Sequence, residues 1–102
     1  MSDYVVTPRA QADLGKIYDH SLETWGEVRT VHYMEALISR FAWLAAHPAM
    51  GRPRDDVAKG YRCFRQGSHI VFYVQKADGI YIVGAPHGSM DIDAYFEERD
   101  KS

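Results

Sequence analysis

Basic and histidine side chains cluster in the second half of the sequence, where they could bind or process a negatively charged group. His87 lies in the segment GAPHGSMD (84–91), directly after the apolar run IYIV. A histidine in such a turn can transfer protons, contact a partner or stabilise the turn. Metal-free cleavage of RNA requires cations around the phosphate and one or two proton-transferring groups. The residues of suitable type are Arg62, Arg65, His69, His87 and Tyr95.

Metal and nucleophile sites have little support in the sequence. The histidines at 20, 32, 47, 69 and 87 show no paired ligand spacing, so we predict no metal site and no cofactor. Asp91 and Asp93 fit a helix start better than a cation site. Cys63, the single cysteine, alternates with its neighbours as in a β-strand. We expect it to point into the core, where a thiol stays protonated.

The charge balance limits the kinds of partner. A net charge of -2 argues against a general nucleic-acid binder, and we expect no sequence-specific nucleic-acid binding. Bases concentrate between residues 52 and 65 and acids after residue 91, which indicates either a polarised surface or solvated loop charges. No apolar run approaches the roughly 20 residues of a membrane span. We therefore expect no membrane segment and a cytoplasmic location.

Hydrophobic spacing predicts an α+β fold in one domain, residues 1–102, that begins with a strand at DYVVT and a helical hairpin. Thr7 and Pro8 favour a helix start, and the helical spacing of the apolar residues predicts a helix from about Pro8 to about Thr24. Gly26 separates it from a second helix, which begins near Glu27 and ends before Pro48. The short link predicts an antiparallel pair. The expected buried stripe of the second helix is Val31, Met34, Leu37, Ile38, Phe41, Leu44 and Ala45.

The second half of the chain predicts a three-stranded antiparallel meander. The strands are YRCFR, HIVFYVQ and IYIVGA, and Asp78-Gly79 is a hairpin signal between the last two. MGRPRDDVAKG is predicted to be a loop, and the helices are expected to cover one sheet face. Pro86 cannot donate to a ladder, so we expect a frayed or edge position there. Residues 91–102 are predicted to form a short acidic helix or tail.

Several segments in this order and spacing point to a known family: PRAQADLGKIYDHSLETWG, WLAAHPAMGRPRDD, GYRCFRQGSHIVFYV and HGSMD. Together they resemble the ParE branch of the RelE/ParE toxins, the toxic halves of bacterial type II toxin–antitoxin modules. The resemblance implies a helical hairpin packed on an antiparallel sheet. It also implies a ParD-like antitoxin whose flexible C-terminal segment wraps and blocks the toxin, and DNA gyrase as the target.

The closing segment departs from the usual family pattern V-R-V-L-H-x-R-M-D. Gly84 stands where an arginine is usual, Pro86 where a leucine is usual, and Ser89 where a basic residue often stands. His87, Met90 and Asp91 match the pattern. Two alternatives stay open. One is a RelE-like, ribosome-dependent mRNA endoribonuclease that uses Arg62, Arg65, His87 and Tyr95. The other is an attenuated toxin that acts only as an antitoxin-binding module.

Two sets of contact residues are predicted. The target-binding surface is expected to combine cations with a compact patch: Arg52, Arg54, Arg62, Arg65, His87, Met90 and Tyr95. The antitoxin is expected to be anchored by exposed apolar residues on the helices: Tyr18, Leu22 and Tyr33. His87 is expected to end the last strand, support its turn by a hydrogen bond and show its other edge to the target.

Overall fold

Three α-helices and a five-stranded sheet make up the fold of the residues that the structure describes. The computed structural model describes residues 3–100, and it describes the side chains of residues 3–97. The elements in chain order are β1 (Asp3–Val6), α1 (Pro8–Trp25), α2 (Glu27–Ala46), β2 (Arg52–Pro53), β3 (Tyr61–Gln66), β4 (His69–Lys76), β5 (Gly79–Gly84) and α3 (Ile92–Asp100), with a 3₁₀ turn at Pro48–Met50 after α2. The predicted α+β order is confirmed, and the predicted acidic helix is present as α3. Residues 101–102 of that predicted segment lie outside the described residues.

The sheet has the order β1-β5-β4-β3-β2, with β1 parallel to β5 and the other neighbours antiparallel. The predicted loop after α2 is wrong at Arg52–Pro53, which pairs with β3. A two-residue strand has no alternation to detect, and an edge tolerates proline. The predicted frayed or edge position of Pro86 is also wrong. Pro86 follows a central strand and is buried, and its carbonyl accepts the Ile70 N–H at 2.9 Å.

The helical hairpin forms where the sequence signals place it. The Thr7 hydroxyl accepts the Ala10 N–H at 3.3 Å, which caps α1, and Pro8 is the first helical residue. Gly26 joins the helices with φ of 83°, a conformation that costs glycine little. Its N–H donates to the Leu22 carbonyl at 3.0 Å, so one residue both ends α1 and precedes α2.

The main core lies between the hairpin and one sheet face. Its largest fully buried members are Tyr73, Phe41, Leu37, Leu44, Ile80, Ile82 and Val71. The predicted stripe of α2 is wrong at Val31 and Ile38, which are 42% and 37% exposed. Thr30 is buried instead, with its hydroxyl donating to the Gly26 carbonyl at 2.7 Å. The apolar stripe of α2 is therefore wider than the part that the sheet covers.

The other sheet face carries a smaller cluster centred on Cys63, Phe72 and Val83. Ile92 and Phe96 of α3 pack against it, so the fold has helical cover on both faces. The thiol of Cys63 is free and buried, which confirms its predicted orientation. None of the described helices is long and apolar enough to cross a membrane.

Candidate functional site

A groove of about 570 Å³ opens between the first half of α1, the end of β5 and the start of α3. Polar and titratable side chains from all three segments line it, together with an apolar wall. The lining residues are Arg9, Ala12, Asp13, Lys16, Ile17, His20, His69, Ala85, Pro86, His87, Met90 and Tyr95. Hereafter this is the α1–α3 groove.

Helix α1 supplies one wall of the groove through the regular spacing of its polar residues. Arg9, Asp13, Lys16 and His20 are separated by three or four positions, so they lie along one face of the helix. Three of these four side chains are basic or imidazole groups. The wall therefore presents mainly hydrogen-bond donors to whatever enters the groove.

Asp13 is the polar centre of the groove floor. Its Oδ2 accepts the Ala85 N–H at 2.9 Å and also accepts the Tyr95 hydroxyl. Arg9 completes the cluster, because its guanidinium lies 4.4 Å from the Tyr95 ring centroid and its Nη2 donates to the Tyr95 carbonyl at 2.9 Å. Burial and the bond to Asp13 raise the pKa of Tyr95, so its hydroxyl stays a donor. These contacts fix α3 against α1 and the end of β5.

His69 lies in the wall opposite α1 and is only 9% exposed. Its Nδ1 is 2.6 Å from the Tyr33 hydroxyl, which itself accepts the Ser68 N–H at 3.0 Å. Burial, aided by the neighbouring His87 imidazole, lowers the pKa of His69 to about 4. The ring is therefore neutral at physiological pH.

His87 forms the exposed lip of the groove. Its Nδ1 accepts the Ser89 N–H at 3.1 Å and lies 2.7 Å from the Ser89 hydroxyl. Its ring centroid is 5.3 Å from that of His69, and the two residues form an isolated β-bridge. His87 thus supports the turn after β5 by a hydrogen bond, as expected. It does not end the last strand as predicted, because β5 ends at Gly84.

The predicted arginines do not share one surface. Arg52 lies opposite Cys63 in the β2–β3 register, so Arg52, Cys63 and Arg65 project to the α3 side of the sheet. Arg62 alternates to the hairpin side, where its Nη1 donates to the Gly51 carbonyl at 2.6 Å. The structure therefore separates Arg62 from the other cations.

Arg54 and Arg65 differ in their contacts within the protein and in their exposure. Arg54 is paired with Asp56 at 3.0 Å, and that bond raises its pKa and lowers the pKa of Asp56. Arg65 is exposed, its Nε donates to the Gly67 carbonyl at 3.2 Å, and its guanidinium lies against Gly88. Arg65 therefore lies against the turn that carries His87, and we call Arg65, His87 and the exposed Met90 the groove rim.

Two of the three predicted antitoxin contacts are exposed. Tyr18 and Leu22, one turn apart on α1, are 40% and 38% exposed. Tyr33 is partly buried: its ring fills the space beside Gly67 and its hydroxyl is engaged with Ser68 and His69. Other exposed apolar residues lie on α2, namely Val28, Val31 and Ile38. We call Tyr18 and Leu22 together with these three the hairpin rows.

Residues 4–92 match the family described as "ParE toxin of type II toxin-antitoxin system, parDE". The chain belongs to the ParE toxin family. It is 35% identical over 95 residues to Toxin ParE1 of Caulobacter vibrioides, a match that covers 93% of this chain and 98% of that protein. It is 37% identical over 93 residues to Toxin ParE1 of Mycobacterium tuberculosis, covering 90% of this chain and 95% of that one.

Structural similarity agrees with the family assignment at the level of the fold. A solved chain titled "Chromosomal ParDE TA system from P. aeruginosa" superposes with a TM-score of 0.72 at 21% identity, covering 85% of this chain and 96% of that chain. The α+β architecture of the toxin is thus found in a solved structure. Membership of a two-component ParDE system also implies an antitoxin partner for this ParE toxin.

The unusual Gly84 of this ParE toxin has a structural reason. Gly84 is buried, and a Cβ atom at this position would collide with the hydroxyl of Tyr95 and lie 3.2 Å from its Cε2. An arginine there would displace the Tyr95 ring from its place beside Asp13. The position of Tyr95 therefore leaves no space at residue 84 for the arginine that the resemblance implies.

The four candidate ribonuclease residues are spread over different surroundings in this ParE toxin. Arg62 lies on the hairpin side, Tyr95 is only 7% exposed with its hydroxyl bound to Asp13, and only Arg65 and His87 stand together at the rim. For the same reason, Tyr95 does not present the flat exposed ring that was expected of a target contact. Tyr95 instead holds α3 against α1 through Asp13 and Arg9.

Four groove residues are not predicted from the sequence: Arg9, Asp13, Lys16 and His20. Their signal was the polar spacing of positions 9, 13, 16 and 20 within an amphipathic helix. His69 is predicted only as a residue type suited to RNA cleavage, and its contacts with Tyr33 and His87 have no local signal because these residues come from distant parts of the chain.

Proposed function

We propose that this ParE toxin arrests bacterial growth by binding DNA gyrase, and that a ParD-like antitoxin neutralises it by covering the helical hairpin. We propose the cytoplasm as the location of both events. The proposal rests on membership of the ParE family, and on the surfaces that the described residues leave open.

The observation that carries the antitoxin part is the exposure of the hairpin rows. Tyr18 and Leu22 on α1 and Val31 and Ile38 on α2 are 37–42% exposed, although they continue the buried stripe of each helix. An amphipathic helix laid on such rows would bury apolar surface at i, i+4 and i+7 spacing, as in helix-in-groove recognition. A disordered antitoxin segment that orders on binding fits a surface of this kind.

The target part of the proposal rests on the groove rim. Arg65 is exposed, Met90 is 49% exposed, and His87 shows the ring edge that Ser89 does not occupy. Arg52 lies exposed on the same side of the sheet and adds charge. A cationic patch with a few exposed side chains suits a complex of gyrase with its negatively charged DNA.

Expression of the toxin alone and together with its neighbouring reading frame tests the module. Growth should stop in the first case and resume in the second, and the purified toxin should inhibit supercoiling by gyrase. Unaffected growth and no binding of the neighbour's product would overturn the module. Growth arrest with specific mRNA cleavage and unimpaired supercoiling would instead assign the RelE-like ribonuclease activity.

Charge reversal at the rim tests the target surface. Arg65→Glu should abolish growth inhibition with an unchanged circular dichroism spectrum, because Arg65 is exposed and bonded only to its own turn. Lys59→Glu is the matched control, since Lys59 is an exposed cation of the same basic stretch. Arg62→Glu is less informative because it also removes a hydrogen bond to Gly51. A folded Arg65→Glu protein that is fully toxic would place the active surface elsewhere.

A further inference from the structure

We propose that the α1–α3 groove is a binding site for a small phosphomonoester, with His69, His87 and Lys16 as donors to the phosphate and an apolar wall for the organic part. The site shares His87 and Met90 with the groove rim, but the chemistry that it recognises does not depend on which target the toxin inhibits. A toxin without any effect on gyrase could still carry it.

The protonation pattern of the two imidazoles supports the site. A backbone N–H can only donate, so the bond from Ser89 makes Nδ1 of His87 the acceptor and leaves the ring proton on Nε2. The Tyr33 hydroxyl accepts from Ser68, and its own proton has a nearer acceptor in Nδ1 of His69, at 2.6 Å, than in the Gln66 carbonyl, at 3.3 Å. We assign the Tyr33 proton to the shorter of these two contacts, and this assignment places the ring proton of His69 on Nε2.

These two Nε2–H groups are available to a ligand. Among the described residues, every buried side-chain nitrogen and oxygen has a hydrogen-bond partner, and no described bond uses Nε2 of His69. That atom therefore keeps access to the groove that His69 lines. With ring centroids 5.3 Å apart, two imidazoles present neighbouring N–H donors on one wall.

The charge and donor count favour a phosphate over a single carboxylate. Lys16 and His20 face the imidazole wall from α1, and no described hydrogen bond or ion pair occupies them. Arg9 adds a positive charge that offsets the carboxylate of Asp13, whose Oδ2 accepts from Ala85 and Tyr95. A phosphomonoester brings close to two negative charges and three acceptor oxygens to these donors.

The size and the wall of the groove favour a small organic ligand. Its volume of about 570 Å³ lies within the roughly 300–1,000 Å³ of small-molecule sites. Ile17, Ala85, Pro86 and Met90 form an apolar wall next to the donors. Such a wall can pack against a flat group such as a nucleobase, whereas inorganic phosphate would leave it uncovered.

The test is titration of the full-length, isotope-labelled toxin with adenosine 5′-monophosphate, followed by long-range ¹H–¹⁵N NMR of the histidine rings. We expect proton-bearing Nε2 in His69 and His87 before addition, and saturable shifts of both on titration. Inorganic phosphate should give the same shifts at higher concentration, and adenosine should give much weaker ones. The absence of saturable shifts with either phosphate compound would overturn the proposal.

Matched lysine variants separate a specific site from general charge attraction. Lys16→Gln should weaken binding of the nucleotide about tenfold, the usual effect of losing one charge-assisted hydrogen bond. Lys59→Gln, at an exposed lysine of the loop before β3, should leave it unchanged. Equal weakening by both variants would overturn the site. Equal or tighter binding of N-acetylleucine would also overturn it, because the groove would then select a carboxylate.

Discussion

The helical hairpin and the α1–α3 groove expose surfaces of contrasting chemistry within one small fold. The hairpin rows are apolar, and each comes from a single helix. The groove and its rim are rich in donors and bring together residues from α1, β4 and the segment after β5. The hairpin rows suit a partner that buries apolar surface, whereas the groove and rim suit a negatively charged one. The toxin can therefore meet its antitoxin and its target with different surfaces.

Loss of the carboxylate at the groove floor should have the largest effect on folding. Asp13→Ala leaves the Ala85 N–H and the Tyr95 hydroxyl without their acceptor. Each unsatisfied donor costs about 1–3 kcal/mol, so we expect a loss of about 2–6 kcal/mol in the free energy of unfolding. Urea denaturation followed by circular dichroism measures this.

Asp19→Ala is the matched control for that substitution. Asp19 is an exposed aspartate on the same helix, so the change in helix propensity is the same and the expected effect is within about 0.5 kcal/mol. Equal losses in the two variants would show that Asp13 has no special role in holding α3.

Insertion of the usual family cation should disrupt the groove rather than restore activity. In Gly84→Arg, the new side chain collides with Tyr95, and overpacking of this kind costs about 1–3 kcal/mol. Ser89→Arg, at an exposed position, should cost less than about 0.5 kcal/mol. Unfolding and growth assays on both variants check this. A stable and more toxic Gly84→Arg protein would support the attenuated-toxin alternative.

The sequence predicts the hairpin better than the groove for a physical reason. Caps, helical period and the Gly26 link are local, so α1 and α2 could be predicted from Thr7, Pro8 and Gly26. The groove depends on contacts between residues far apart in the chain, such as Tyr95 with Asp13. Exposure of Val31 and Ile38 was also not predictable, because the period of an apolar stripe does not tell how much of it the sheet covers.

The buried imidazole of His69 should make stability depend on pH. Its pKa is about 4 in the fold and 6.5 ordinarily, so between these values the unfolded chain binds more protons. The contribution of neutral His69 to the free energy of unfolding should be fully present above pH 6.5. It should fall towards pH 4 by at most about 1.4 kcal/mol per pH unit.

Urea denaturation at several pH values measures this slope. His69→Gln should flatten it between pH 6.5 and 4, whereas the exposed His32→Gln should not. An unchanged slope in His69→Gln would assign the pH dependence to other groups.

Removal of the chain end should have the smallest effect. Truncation after Glu98 retains Ile92, Tyr95 and Phe96, through which α3 contacts the rest of the protein. We expect a change below about 0.5 kcal/mol in the free energy of unfolding and unchanged growth inhibition. A large loss of stability would show that α3 depends on its final turn.

The claim that the toxin uses separate surfaces is tested most directly by measuring antitoxin affinity and gyrase inhibition on the same two folded variants. Leu22→Asp changes the hairpin rows, and Arg65→Glu changes the groove rim. We predict that Leu22→Asp loses antitoxin binding and still inhibits supercoiling, while Arg65→Glu binds the antitoxin and no longer inhibits. If each variant loses both activities to the same extent, one shared surface serves both partners and the account is contradicted.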